Sequence, residues 1–191
     1  LVVYYAVETR IIVIKITLGE KMTRIIIPIF FISVFVISGC GSKSDKDYFE
    51  SANNNIKGEN YAEAISDFES LINEYPESEL APKATFEIGK IYQGQMIKNI
   101  TRTESFENAI KYYNEIVEKY TEDPNTPNAL FMIGFIQANE LQRLDEARDT
   151  YKLFLEKYPE SELAESAQAE IDNLGLSPEE ILEQKMSTVK K

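Results

Sequence analysis

The chain reads as all-α, built from consecutive helix pairs, and three observations predict this. An apolar stripe recurs three times: Tyr61, Ala64, Ile65, Phe68, Leu71 and Ile72; then Phe106, Ala109, Ile110, Tyr113, Ile116 and Val117; then Leu144, Ala147, Tyr151, Phe154 and Leu155. Steps of mostly three and one, which recur as intervals of three and four, place such residues on one face of a helix of 3.6 residues per turn. The heptapeptide Tyr-Pro-Glu-Ser-Glu-Leu-Ala stands at Tyr75–Ala81 and again, unchanged, at Tyr158–Ala164. From Cys40 onward no stretch alternates apolar and polar residues between turns, as a half-buried strand would.

Composition narrows the function. A length of 191 residues suits one domain, or one domain with an appendage. Lys and Arg number 20 against 32 Asp and Glu, a formal charge of −12. That balance argues against a nucleic-acid partner, which needs a basic face to displace counterions from phosphates. The chain has no His, so imidazole acid–base catalysis, Ser–His triads and the commonest metal ligand are all excluded. A single Cys excludes an intrachain disulfide and a Cys-based zinc cluster.

The elements follow in order from the amino terminus. Residues 1–21 contain no Met and are expected to be an upstream mis-start, with the true start at Met22. Residues 22–39 then read as a signal peptide. Lys21 and Arg24 flank Met22, an apolar run extends from Ile25 to Ile37, and Ser38 and Gly39 close it. The run is short of the roughly 20 apolar residues that a spanning helix needs, and it contains Pro28. Its end is more specific. Ile37-Ser38-Gly39-Cys40 resembles the lipobox of bacterial lipoproteins. The resemblance implies a mature chain beginning at Cys40, its sulfur carrying a diacylglycerol and its amine an acyl chain. The other reading of Cys40 is a buried thiol ending an uncleaved anchor helix. Gly41 and Ser42 follow with no Asp, which resembles the outer-membrane-bound kind. Four basic and two acidic residues leave with 1–39, so the mature charge is −14.

Residues 40–46 read as a polar tether. Beyond it the chain divides into repeats at 47–78, 79–124 and 125–160, followed by capping helices and a tail at 161–187. Anchored on Ala64, Ala109 and Ala147, the copies lie 45 and then 38 residues apart. An aromatic follows each anchor four residues on (Phe68, Tyr113, Tyr151). Pro76 and Pro159 follow at twelve, with Thr121 in that place in the middle copy. Gly89 and Gly134 occupy matching places in the preceding helices, and Ala52 takes that place in the first.

These residues resemble the tetratricopeptide (TPR) repeat, in which helix A carries Leu-Gly-x-x-Tyr and helix B carries Ala, an aromatic and Pro. Ile88-Gly89-Lys90-Ile91-Tyr92 and Ile133-Gly134-Phe135-Ile136-Gln137 supply the first part. The physical logic is local: Gly permits close approach of the two helices, Ala fills their crossing, the aromatic plugs it, and Pro ends helix B. The resemblance implies a TPR-like α-solenoid of about three helix pairs plus C-terminal capping helices. The interval from Gly89 to Ala109 is 20 residues, against 13 from Gly134 to Ala147. An insertion near 96–105 is therefore expected, as a longer helix A or a protruding loop. Glu162–Leu174 reads as a further helix with Ser161 as its N-cap. Ser177-Pro178-Glu179-Glu180 reads as a capping-box start for another, through about Lys185.

TPR arrays line a concave groove with their A helices and take peptides or partner helices there. The resemblance places Lys83, Phe86, Lys90 and Gln93 on the groove side of the second repeat. From the third come Asn128, Phe131, Phe135 and Ala138. Lys83 and Lys90 read either as partners for a carboxylate or as a solvated pair. Phe131 and Phe135 read as core or as contact, with core favoured. Glu77, Glu79, Glu160 and Glu162 are expected at helix starts, where the dipole favours negative charge. No EF-hand loop, phosphate loop or paired nucleophile and base is present in the sequence. No catalytic residue, metal, cofactor or small-molecule substrate is expected.

A lipid-anchored TPR chain with Tyr-Pro-x-Ser spacing most resembles the BamD-type outer-membrane lipoproteins, which scaffold the machine that inserts β-barrel proteins. The family usually carries more than three repeats. The resemblance implies an adaptor anchored by lipid in the bacterial outer membrane, facing the periplasm and binding envelope proteins or peptides. The periplasmic TPR proteins of the Tol–Pal system share the spacing but are typically soluble, with an N-terminal coiled coil that this chain lacks. A third reading is a solute- or glycan-binding lipoprotein or an enzyme subunit, which requires a closed polar pocket.

Overall fold

The computed structural model describes residues 2–7, 10–15 and 43–189. Cys40 and residues 22–39, the expected signal peptide, lie outside the described residues. Ahead of the main body, β1 (Val2–Val7) pairs antiparallel with β2 (Arg10–Lys15), Val2 opposite Lys15 and Val7 opposite Arg10. Both segments are rich in β-branched side chains, which suit a pleated surface. This hairpin falls in the stretch read from sequence as an upstream mis-start.

From Lys43 the described chain is helical throughout. It runs α1 (Asp45–Lys57), α2 (Tyr61–Glu74), α3 (Ala81–Gln93), α4 (Arg102–Lys119), α5 (Thr126–Phe135), a π-helical turn at Ile136–Glu140, α6 (Leu144–Lys157), α7 (Ala164–Asn173) and α8 (Pro178–Val189). Three A–B pairs (α1–α2, α3–α4, α5–α6) are followed by two C-terminal helices, the TPR-like solenoid that the repeat implies.

The anchor positions make the core. Ala64, Ala109 and Ala147 are fully buried, and so are the aromatics four residues on, Phe68, Tyr113 and Tyr151. At each joint a helix A residue without a bulky side chain receives the helix B ring. A Cβ on Gly89 would stand 2.6 Å from Tyr113 Cε1, and one on Gly134 would stand 2.8 Å from Tyr151 Cε1. The first pair joins Ala52 with Phe68, and both are fully buried. Three residues before each of these small side chains stands a Phe. The ring pairs Phe49–Phe68, Phe86–Tyr113 and Phe131–Tyr151 all have centroids 5.4 Å apart, within the range of favourable tilted or edge contacts.

The turns that lead into each A helix share one construction. Helix B ends at Tyr75, Tyr120 and Tyr158, whose carbonyls accept the N–H of Ser78, Asp123 and Ser161. The side-chain oxygen of each of those three then accepts the N–H two residues further on, from Leu80, Asn125 and Leu163. Asp123 thus does in the middle copy what Ser does in the other two, although that copy has Thr121 in place of Pro. Ser161 is therefore a turn residue and not the N-cap of α7. Leu163 caps that helix, which opens at Ala164 rather than near Glu162. Glu77, Glu79, Glu160 and Glu162 lie in these turns, just ahead of the helices.

The extra length of the second pair does not lengthen helix A. The A–B junctions of the first and third pairs are Gly58–Asn60 and Leu141–Arg143, whereas the second runs Gly94–Thr101. The remainder adds a turn to the start of α4, where Thr101 accepts the N–H of Glu104 at 3.1 Å. That added turn reaches the third pair. Arg102 pairs with Glu140 at the end of the π-helical turn, and Arg143 pairs back with Glu107 on α4. At the C-terminus, Ser177 and Glu180 exchange backbone-to-side-chain hydrogen bonds and start α8, which continues to Val189.

Candidate functional site

The A helices hold the residues that the repeat register brings to equivalent positions. Counting from Ala52, Gly89 and Gly134, the first row is Lys46, Lys83 and Asn128. The second is Phe49, Phe86 and Phe131, the third Asn53, Lys90 and Phe135, and the last Ile56, Gln93 and Ala138. The first row is exposed throughout. Lys46 and Lys83 form no ion pair among the described residues. Lys90 is also exposed, but its Nζ lies 2.9 Å from Glu87 Oε1 on its own helix, so its charge is already matched.

The aromatic row has a packing role. Phe131 is only 8 % exposed and stands edge-on to Tyr151 and to Phe154, with centroids 5.4 and 5.9 Å away. Phe86 and Phe135 are half-buried and keep part of their surface in solvent. Gln93 is tied into the joint between pairs: its Oε1 accepts the Tyr113 hydroxyl at 2.7 Å, and its Nε2 lies 3.5 Å from Met132 Sδ on α5. Of the residues singled out from sequence, Lys83, Lys90 and Asn128 therefore face solvent most fully. Phe131 and Gln93 hold helices together.

The sequence reading places no groove residue on the first pair, where the structure opens a cleft. An open cleft of about 770 Å³ is lined by Lys46, Phe49, Glu50, Asn53, Asn54 and Lys57 of α1 and by Ser78, Glu79 and Leu80 before α3. Phe49 and Leu80 give it apolar surface, two Lys give it cations, two Asn give it amides, and Asp45, Glu50 and Glu79 give it carboxylates. The signal was present as a 37-residue offset between Lys46-x-x-Phe49 and Lys83-x-x-Phe86. Ala52 stands at the place of Gly89 and Gly134, and this offset extends the row to α1.

The edge of this cleft is closely fixed. The Ser78 hydroxyl donates to Asp45 Oδ2 at 2.6 Å and holds that carboxyl below its usual range. The Ser44 N–H donates to Asp47 Oδ2 at 2.8 Å, and with the Ser44 hydroxyl it lowers Asp47 likewise. α1 consequently opens at Asp45, inside the stretch read as a tether, because Ser44 and Asp47 form a capping box. Among the described residues no group of three His, Cys, Asp or Glu is placed to hold a metal ion. The chemistry on offer is recognition: charges of both signs and amides beside half-buried rings, on an open surface.

The class defined by this fold is a TPR-like helical solenoid with an open cleft beside its first helix. The family model described as outer membrane lipoprotein (YfiO) matches residues 42–176. The chain belongs to that family, the BamD-type lipoproteins that its repeats resemble. The match spans all three helix pairs and α7. No curated protein matches the chain. Among the described residues no helix is long and apolar enough to cross a membrane.

Proposed function

We propose that the chain is a non-enzymatic scaffold, anchored through lipid on Cys40, that binds partner proteins at the outer membrane in the manner of BamD-type lipoproteins assembling outer-membrane proteins. In this reading it faces the periplasm and takes peptides or partner helices along the A-helix trough. It uses no cofactor, metal, nucleic acid or small-molecule substrate. Repeats at 47–78, 79–124 and 125–160 form the trough, and 161–187 cap it. Several acyl chains on Cys40, each buried CH₂ worth about 0.8 kcal/mol, would make a stable anchor without a spanning helix.

The observation that carries this reading is the row of exposed Lys46, Lys83 and Asn128 beside the half-buried Phe49 and Phe86, opening into the cleft on α1. An open trough of this kind suits a macromolecular guest better than a metabolite, which is usually held in a concavity burying most of its surface. The test is crosslinking from envelope fractions with wild type and with Lys46→Glu/Lys83→Glu. The reading expects β-barrel assembly components to be recovered and the charge reversal to lose them. Recovery of Tol or Pal proteins would instead favour the Tol–Pal type, and tight uptake of a sugar would favour the solute-binding reading. Fatty-acid labelling of wild type but not of Cys40→Ser checks the anchor, and equal labelling removes it.

A further inference from the structure

The two copies of the heptapeptide are identical in sequence and differ in what they hold. In the first, the Tyr75 hydroxyl donates to the Lys43 carbonyl at 2.7 Å and Ser78 donates to Asp45. Lys43 is fixed a second time by its Nζ, which lies 3.4 Å from Asp67 Oδ1 and 5.1 Å from the centre of the Tyr48 ring. In the second copy, Ser161 makes only the turn contact to the Leu163 N–H. One copy closes a turn. The other closes the same turn and also grips the start of the helical body, as early as Lys43.

Only Gly41 and Ser42 stand between Lys43 and Cys40, a reach of at most about 11 Å even fully extended. Resting on the lipid anchor proposed above, we propose that Lys43 and Ser44, with the Tyr75–Glu77 part of the turn that grips them, form a bilayer-contacting end beside the cleft, so that the solenoid stands on the lipid surface in a fixed attitude. The occupant of this surface is the headgroup layer, argued from the length of chain left over once Lys43 is clamped. Attraction by charge is not needed, because Lys43 and Lys46 there are offset by Asp47, Glu77 and Glu79. The chain length alone keeps this end within reach of the headgroups.

The test uses the full acylated protein in vesicles that carry an energy-acceptor dye on the phosphatidylethanolamine headgroup. With Cys40 acylated, a thiol dye reacts only with an introduced cysteine, at Glu77→Cys on the turn or Glu156→Cys on α6. Transfer is expected to be several-fold stronger from the first site. A twenty-residue Gly–Ser insert after Ser42, which lets the body wander by about 25 Å, should abolish most of that difference. Tyr75→Phe should weaken transfer from the Glu77 site, whereas Tyr158→Phe, the same change in the duplicate, should leave it unchanged. Acylated protein whose transfer from the Glu77 site ignores the insert overturns this inference alone. A chain that mass spectrometry shows to be unacylated overturns the anchor of the proposed function, and this inference with it.

Discussion

The second and third helix pairs solve one packing problem with different polar chemistry. In each, a helix B tyrosine lays its ring on a helix A glycine and against the Phe three residues before that glycine. In the α3–α4 joint the Tyr113 hydroxyl finds Gln93 at 2.7 Å. In the α5–α6 joint the Tyr151 hydroxyl is buried with no partner among the described residues. The reason is in the register, because Ala138 stands where Gln93 stands 45 residues earlier. The neighbouring Gln137 is occupied, its Oε1 accepting the Thr150 hydroxyl at 2.7 Å. The first pair dispenses with the hydroxyl altogether and puts Phe68 on Ala52. The repeat therefore needs the ring, and the phenol oxygen is an option that one joint satisfies and another leaves unmet.

The largest expected break comes from filling the glycine. Gly89→Ala and Gly134→Ala force a methyl against a ring, and overpacking of this kind costs about 1–3 kcal/mol. Gly89→Ala should cost more, since Gln93 holds the Tyr113 ring where it is. Urea unfolding midpoints would show this, and equal or negligible losses would refute the close-approach account. Removing the hydroxyls comes next. Tyr113→Phe should cost about 1 kcal/mol, the net worth of a hydrogen bond, whereas Tyr151→Phe should be neutral or stabilising because it deletes a buried, unpaired group.

Alkaline titration sharpens the same contrast. Burial pushes the Tyr113 and Tyr151 phenols upward from 10.0, and Tyr112 likewise, with Glu69 beside it adding to the shift. These groups stay protonated in the folded state after they would ionise in the unfolded chain. Their stabilising effect is thus complete below pH 10 and is lost as the pH climbs towards their raised folded values. Melting temperature should be flat approaching pH 10 from below and fall above it. Tyr151→Phe should soften the fall. The smallest effect is a gain. Ala138→Gln should offer Tyr151 a partner and stabilise by at most about 1 kcal/mol. That gain should vanish in the Tyr151→Phe background in a double-mutant cycle.

The helices and their pairing were legible in the sequence because Ala64, Ala109 and Ala147, with the ring four residues on, report a periodic burial that no strand could use. Of the three-fold Phe row, the sequence reading favours the core for Phe131, sets Phe86 on the groove side and does not single out Phe49. Phe86 and Phe131 each pack against the tyrosine of their own pair. The site was legible in part. Lys83 and Asn128 face solvent, but the matching Lys46 and the cleft beside it depend on how α1 meets the turn before α3, a contact between segments some thirty residues apart. The insertion could be counted and placed near 96–105, but its form could not be read. Whether it extends a loop or a helix turns on the Thr101 cap and on the charge partners of Arg102 and Glu107 in the third pair.

One consequence follows from where α4 lies. Tyr112 on one side of it belongs to the core of the first three helices, where it stacks on Tyr92 at 5.8 Å. Phe106, Ala109, Ile110, Tyr113 and Ile116 belong to the core built with α5, α6 and α7. Arrays of stacked units ordinarily fray from their ends, each unit melting with its neighbour. Here a single rod is the party wall between two rooms, and neither room can be emptied without opening the other. The molecule should behave in a calorimeter as one cooperative object, and a load applied at one end should be felt at the far end.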